Sequence, residues 1–414
     1  MKDKILAHLN DPAQLEKMYR TNMVPFKQEF NKLYPELRGN ILADFWNERL
    51  NYESDQINWG TKTELLFIVI ASMTAGIIAK LPAFFSINED FFYPRNISFI
   101  LFPILAVYFA WKNKLSTGKI AFIAGLTLAG LIFINLFPNV TQSDTLILSC
   151  IHLPLFLWAV LGFAFVGEAK NNDEKRLDFL KYNGDLLVMT ALIVIAGAIM
   201  SAITIGLFSL IGFNIEEFYF QNIVIFGLPA APIFGTYLTQ TNPQLVGKVS
   251  PVIAKIFSPL VVVMLVIYLS AMVYSGKDPY NDREFLLIFN ALLIGVMAII
   301  FFSVAEISKT TKSQAEIWIL FLLSIVTIIV NGIALSAIVY RISEWGITPN
   351  RTAVFGGNVL ILINLLLVTA QLLKVLSKKA GITGVGKVIA LYLPIYVLWT
   401  IVVTFIFPLL FGFK

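Results

Sequence analysis

The chain has 414 residues, 57% of them hydrophobic and 14% charged, with a formal net charge of +5 and a mean hydropathy of +0.78. Ordinary soluble domains are about half apolar and about a quarter charged, so a chain this poor in charge cannot coat a water-facing surface and takes lipid as its main solvent. Disorder, a collagen-like rod and a disulfide scaffold are excluded: Cys150 is the single cysteine, and His8 and His152 are the only histidines, too few for a multi-histidine metal or haem site.

Residues 1–63 form a first region, balanced at nine basic and nine acidic residues. Asp11-Pro12 reads as a helix start, with aspartate as N-cap and proline at the first helical position. Phe26, Phe30, Leu33, Tyr34 and Leu37 recur at helical spacing, and so do Ile41, Leu42, Phe45, Trp46 and Leu50. The spacing predicts two or three short amphipathic helices, and a charged segment this long ahead of the first apolar run does not read as a signal peptide.

Residues 64–414 alternate apolar runs with short polar breaks, and the expected fold is all-α, a polytopic transmembrane helix bundle of about eleven spans. The spans fall at 64–85, 96–111, 120–137, 145–167, 185–211, 219–239, 249–275, 285–305, 317–340, 353–373 and 388–411. Most reach the ~20 residues that cross a hydrocarbon core. Span 96–111 is short and carries Pro103, but removing it levels the Lys/Arg balance at 14 against 15. With all eleven spans the balance is 23 against six, which places the N-terminus in the cytoplasm and the C-terminus outside. The mixed-sign run 168–184 reads as a solvated connector.

Within the spans, ionisable groups are the first place to look for function. All 26 Asp and Glu fall in loops or at span edges, which weighs against a carboxylate proton relay, a carboxylate sodium site and an intramembrane aspartyl protease. Lys80 and Lys255 lie near span ends, within reach of the interface by snorkelling. Asn331 and Asn364 sit near mid-span in consecutive helices, where they could bond across an antiparallel hairpin or line a cavity. Pro229 and Pro232, in Gly227-Leu228-Pro229-Ala230-Ala231-Pro232, should kink or break span six and expose backbone groups to a ligand; Ser258-Pro259 adds a second weak point in span seven.

The loop from Arg341 to Arg351 is the most informative stretch. Gly346 permits a sharp turn, Thr348 can cap the tenth span and Pro349 suits its first position. Arg341 and Arg351 beside a helix N-terminus make a candidate anion site; in the alternative, the loop is an ordered hairpin in which Glu344 pairs with one arginine. The pattern Arg341-Ile342-x-Glu344-x-Gly346-Ile347-Thr348-Pro349-Asn350-Arg351 resembles the bacterial membrane family called domain of unknown function 4153. The opening segment, from Asp11-Pro12 to Phe45-Trp46-Asn47-Glu48-Arg49-Leu50, is similar to the soluble prefix of its Bacteroidetes-type relatives. That resemblance implies a bacterial inner-membrane protein and supplies no substrate or reaction.

Gly381 to Lys387 lacks the spacing and the final Ser/Thr of a phosphate loop, and no zinc-protease helix, nucleophile elbow or nucleic-acid motif is present. No metal or cofactor is expected. The leading reading is a permease-like protein for a small anionic or amphiphilic solute. The second is a non-catalytic scaffold or envelope sensor whose residues 1–63 dock a cytoplasmic protein, and a membrane enzyme is the weakest of the three. Reporter enzymes fused ahead of residue 1 and inside the Arg341–Arg351 loop should signal from opposite compartments; signals from one compartment would overturn the eleven-span topology.

Overall fold

The computed structural model describes every residue except 1, 22, 52–58, 139, 141–142, 169–171, 211–213, 308–313 and most of 244–282. The expected span 249–275, with Lys255, lies outside the described residues apart from scattered positions such as Ser258 and Pro259. Among the described residues every regular element is helical. The chain divides into two compact units, Met1–Asn58 and Trp59–Lys414.

The first unit holds α1 (Lys2–Ala7), α2 (Pro12–Thr21), α3 (Met23–Leu37) and α4 (Ile41–Asn51). Asp11 caps α2 as its sequence suggests, its Oδ1 accepting from Ala13 N (3.1 Å) and Gln14 N (3.2 Å). Asn40 does the same for α4. Phe26, Phe30, Leu33, Trp46 and Leu50 meet in one core, where the Phe26 and Trp46 rings lie 5.4 Å apart. Ile41 and Phe45 do not join it: they are 86% and 60% exposed, because α4 turns its 43, 46 and 50 positions inward. On the surface of this unit, Glu16 receives Arg20 at 2.7 Å, and that bond together with the nearby Arg49 charge holds its carboxyl below the usual range.

The second unit holds α5 (Lys62–Ala79), α6 (Leu81–Phe85), α7 (Glu89–Lys112), α8 (Thr117–Leu136), α9 (Asp144–Val166), α10 (Asn172–Leu210), α11 (Glu216–Thr241), α12 (Arg283–Ile307), α13 (Gln314–Trp345), α14 (Pro349–Leu376) and α15 (Thr383–Leu410). Nine of these, among the described residues, are long and apolar enough to cross a bilayer; α12 contributes a shorter apolar stretch, Leu292–Ala305. The bundle is that of a membrane-embedded protein. The doubtful second span is a full helix of 24 residues, α7, running through both Pro94 and Pro103. One core cluster joins α5, α7, α8, α9 and α11, and a second joins α12 to α15. Helix α10 supplies Phe179 and Tyr182 to the first and Leu180 to the second.

Two expectations need correction here. Residues 172–184 are not a connector but the opening turns of the 39-residue α10. Their charges pair along the helix, Asp173 with Arg176 and Lys175 with Asp178, while Arg176 Nη1 donates to Ala390 O (3.2 Å) and Phe179 and Tyr182 are buried. Nor do Pro229 and Pro232 break their helix. Helix α11 runs on through both prolines, and a π-turn at Phe220–Val224 stands just upstream of them. A second π-turn, Val402–Ile406, precedes Pro408 in α15. Having no N–H, Pro408 leaves Thr404 O without its helical donor, and Ser149 Oγ on α9 donates to that oxygen at 2.9 Å.

Phe26 touches each of the main aromatic members of the first core, so Phe26→Ala should cost about 3–5 kcal/mol. The expected readout is rapid proteolysis confined to residues 1–58; unchanged protease resistance would show that this core does not hold the unit together.

Candidate functional site

The Arg341–Arg351 loop folds as a clasp. Gly346 has φ +76°, a left-handed value that glycine adopts without strain. Arg351 N donates to Thr348 Oγ1 (3.3 Å), capping α14, and Pro349 follows at its first position. Arg351 Nη1 donates to Trp345 O and Gly346 O, both at 2.7 Å, closing the C-terminus of α13. The guanidinium carbons of Arg341 and Arg351 lie 5.3 and 5.7 Å from the centre of the Trp345 ring. Glu344 is exposed and pairs with neither arginine among the described residues. The arrangement is an ordered hairpin, as the alternative reading has it, but Trp345 and backbone carbonyls take the place expected of Glu344.

Asn331 and Asn364 are both fully buried, and the bond expected between them is not made. Asn331 Nδ2 instead donates to Asn358 O (3.2 Å), while Asn358 Nδ2 donates to Asn290 Oδ1 on α12 (2.9 Å). Lys80 does more than reach for the interface: its Nζ donates to Asn222 Oδ1 inside the π-turn of α11 and stands 5.7 Å from the centre of the Phe84 ring. His152 Nδ1 bonds Leu148 O of its own helix (2.9 Å). Among the described residues no three His, Cys, Asp or Glu side chains converge as a metal site would require.

A concavity lies elsewhere. A groove of about 610 Å³ runs between the N-terminal half of α7 and the C-terminal half of α8, walled by Ile87, Phe91, Phe92, Leu131, Ile132 and Leu136. None of Asn331, Asn364, Pro229 and Pro232 lines it. Its two polar residues, Asn96 and Asn135, form a reciprocal amide pair, with Asn96 Nδ2 donating to Asn135 Oδ1 (2.9 Å) and Asn135 Nδ2 to Asn96 Oδ1 (2.8 Å). Each nitrogen also donates to its own helix, at Phe92 O and Leu131 O. With all four N–H bonds engaged, the pair has only oxygen lone pairs left to offer. Sequence reading passed over it because Asn96 stands at a span edge and Asn135 near the end of the next span, with nothing in either position to suggest that they meet.

A second unforeseen cluster sits at the start of α5. Glu64, 12% exposed in its side chain, accepts from Tyr108 OH (2.7 Å) and Lys112 Nζ (3.0 Å). Tyr108 and Lys112 are one turn apart on α7, a spacing that marks a shared helix face. Thr61 Oγ1 accepts from Glu64 N (3.1 Å), so the carboxylate also belongs to a helix-capping sequence, T-x-x-E. Close by, Tyr237 OH on α11 donates to Trp59 O. Toward the other end of α5, it and α11 approach so closely at Gly76 that an added Cβ would fall 2.0 Å from Phe226.

Fold and site together define a polytopic, all-helical membrane protein with an apolar, acceptor-lined groove. No family model, no curated protein and no solved structure matches the chain.

Removing one partner of a mostly buried ion pair strands the other. Glu64→Ala should therefore cost roughly 1–3 kcal/mol, below the ~3–5 of a fully buried pair because Lys112 keeps 31% of its exposure. The double change Glu64→Gln with Lys112→Met should recover most of that loss in thermal unfolding; additive losses would mean the two groups are not coupled.

Proposed function

We propose that this chain is a permease-like protein of a bacterial inner membrane that binds, and passes across the bilayer, a small amphiphilic solute held in the α7–α8 groove. The groove carries the reading. Its volume falls in the range of about 300–1,000 Å³ typical of small-molecule sites, and apolar walls with a few polar groups are the usual make-up of such sites. The spare lone pairs of Asn96 and Asn135 favour a solute whose head donates a hydrogen bond, a hydroxyl or an ammonium, over an anionic one. The arginine loop gives an anion little support, since Arg351 is occupied with backbone carbonyls and both guanidinium groups lie by Trp345. The excess of Lys/Arg in the even-numbered connections supports an N-terminus in the cytoplasm and an arginine loop outside.

One observation favours a second reading, a scaffold or sensor. Ile41 and Phe45 stand one turn apart on α4, outside the core of the first unit, as an apolar pair that a cytoplasmic protein could cover.

A fluorescent single-chain amphiphile with a hydroxyl head separates the two readings. Purified full-length protein should bind it, Ile132→Trp should fill the groove and weaken binding at least about tenfold, and Asn135→Leu should weaken it about fivefold through the lost acceptor. Equal binding by the wild type and Ile132→Trp would remove the groove from consideration and leave the scaffold reading in front.

A further inference from the structure

Helices α12, α13 and α14 share a buried polar seam far from the groove. On α13, Ser324, Thr327 and Asn331 are spaced three and four residues apart, which sets them on one face. All three are fully buried, as is Asn364 on α14; Asn358 is 3% exposed. Two contacts fix the antiparallel register of the hairpin: Asn331 Nδ2 to Asn358 O, and Thr369 Oγ1 to Ser324 Oγ at 2.9 Å. Asn364 lies between them on α14, six residues (about 9 Å) from Asn358 and five (about 7.5 Å) from Thr369. The part of α13 level with it is therefore the turn of Thr327, one turn from Asn331.

Most of the seam's hydrogen-bonding capacity is met. Thr327 Oγ1 donates to Leu323 O (2.6 Å), Ser324 Oγ to Phe321 O (2.8 Å) and Asn358 Nδ2 to Asn290 Oδ1. Among the described residues, three of its atoms have no protein partner: Asn331 Oδ1, Asn364 Oδ1 and Asn364 Nδ2. Open valences of this kind are costly in hydrocarbon, where no bulk water can meet them. Their chemistry restricts what can. The two oxygens require a donor, and the Asn364 N–H requires an acceptor. A bare anion cannot donate and a metal cation cannot accept, so neither completes the set. A neutral O–H group does both.

We propose that Asn331 and Asn364 form an internal site for a neutral hydroxylic guest within the α13–α14 hairpin, either ordered water or the hydroxyl of a small polyol. A buried water ordinarily makes two to four hydrogen bonds, and it could make three here by donating to the two oxygens and accepting from one N–H of Asn364. The site is independent of the groove and stands whether or not the groove binds an amphiphile.

The test uses the full-length protein in detergent, without polyol. Radiolytic hydroxyl-radical footprinting should oxidise Val330 and Leu365, which bulk water cannot reach at 0% exposure. Asn364→Leu should lower the midpoint of thermal unfolding by roughly 2–4 °C, because it deprives the guest of partners and strands Asn331. Adding glycerol then separates the sources. A midpoint that rises equally in wild type and Asn364→Leu leaves water as the guest, and a rise specific to the wild type assigns a polyol hydroxyl. The proposal fails if Asn364→Leu raises the midpoint, or if Val330 and Leu365 stay unlabelled and glycerol gives no rise specific to the wild type, for the amides are then bare.

Discussion

In hydrocarbon a hydrogen-bonding group has only the protein to turn to, and this requirement organises the second unit more than any single contact. Helix formation satisfies the backbone, but a proline inside a helix withdraws a donor and frees a carbonyl. At Pro408 the freed carbonyl is that of Thr404, and the hydroxyl of Ser149 on another helix reaches it. Asparagines obey the same rule. Asn96 and Asn135 answer each other across α7 and α8, while Asn358 links α12 to α13 by giving its side chain to Asn290 and its carbonyl to Asn331. Polar residues here act as fasteners between apolar surfaces that lipid would otherwise solvate equally well.

Charge follows the same logic with higher stakes. Glu64 begins a membrane helix, yet its carboxylate is only slightly exposed because a tyrosine and a lysine from α7 meet it. The Arg351 guanidinium bonds the carbonyl groups that end α13 at the protein surface, and Lys80 finds an asparagine in a widened turn. Among the described residues, Lys112 and Arg351 show that a cation near a helix end can serve as a bridge or a clasp as well as a marker of sidedness. The two roles are compatible, since a helix end at the membrane boundary is where spare carbonyls and cations both collect.

Much of this architecture was legible in the residues. Apolar runs of the right length located the helices, Asp11, Gly346, Thr348 and Pro349 announced their own local geometry, and the Lys/Arg asymmetry kept α7 as a span despite Pro103. Pairings across helices were hidden. Asn96 and Asn135 are 39 residues apart and Glu64 and Lys112 are 48 apart, and no periodicity along one helix reveals what faces it on another. Proline was over-read in part as well: of the kink or break expected at Pro229 and Pro232, the break is not made, and the helix runs through both. The run 172–184 looked solvated because its charges are dense, whereas Phe179 and Tyr182 turn one side of it into a packing surface.

The separations between bonded residues also carry a message about the order of assembly. Glu64 can meet Lys112 once two helices have left the ribosome, so that clasp is available to the earliest inserted hairpin. The start of α9 must wait much longer. Ser143 Oγ donates to Phe413 O, 270 residues downstream, and Thr145 N to Lys414 O. A truncation or stall late in synthesis would therefore leave a helix from the first half of the bundle unfastened at one end, and quality-control proteases that survey exposed helix ends would find their substrate there rather than at the site of the lesion.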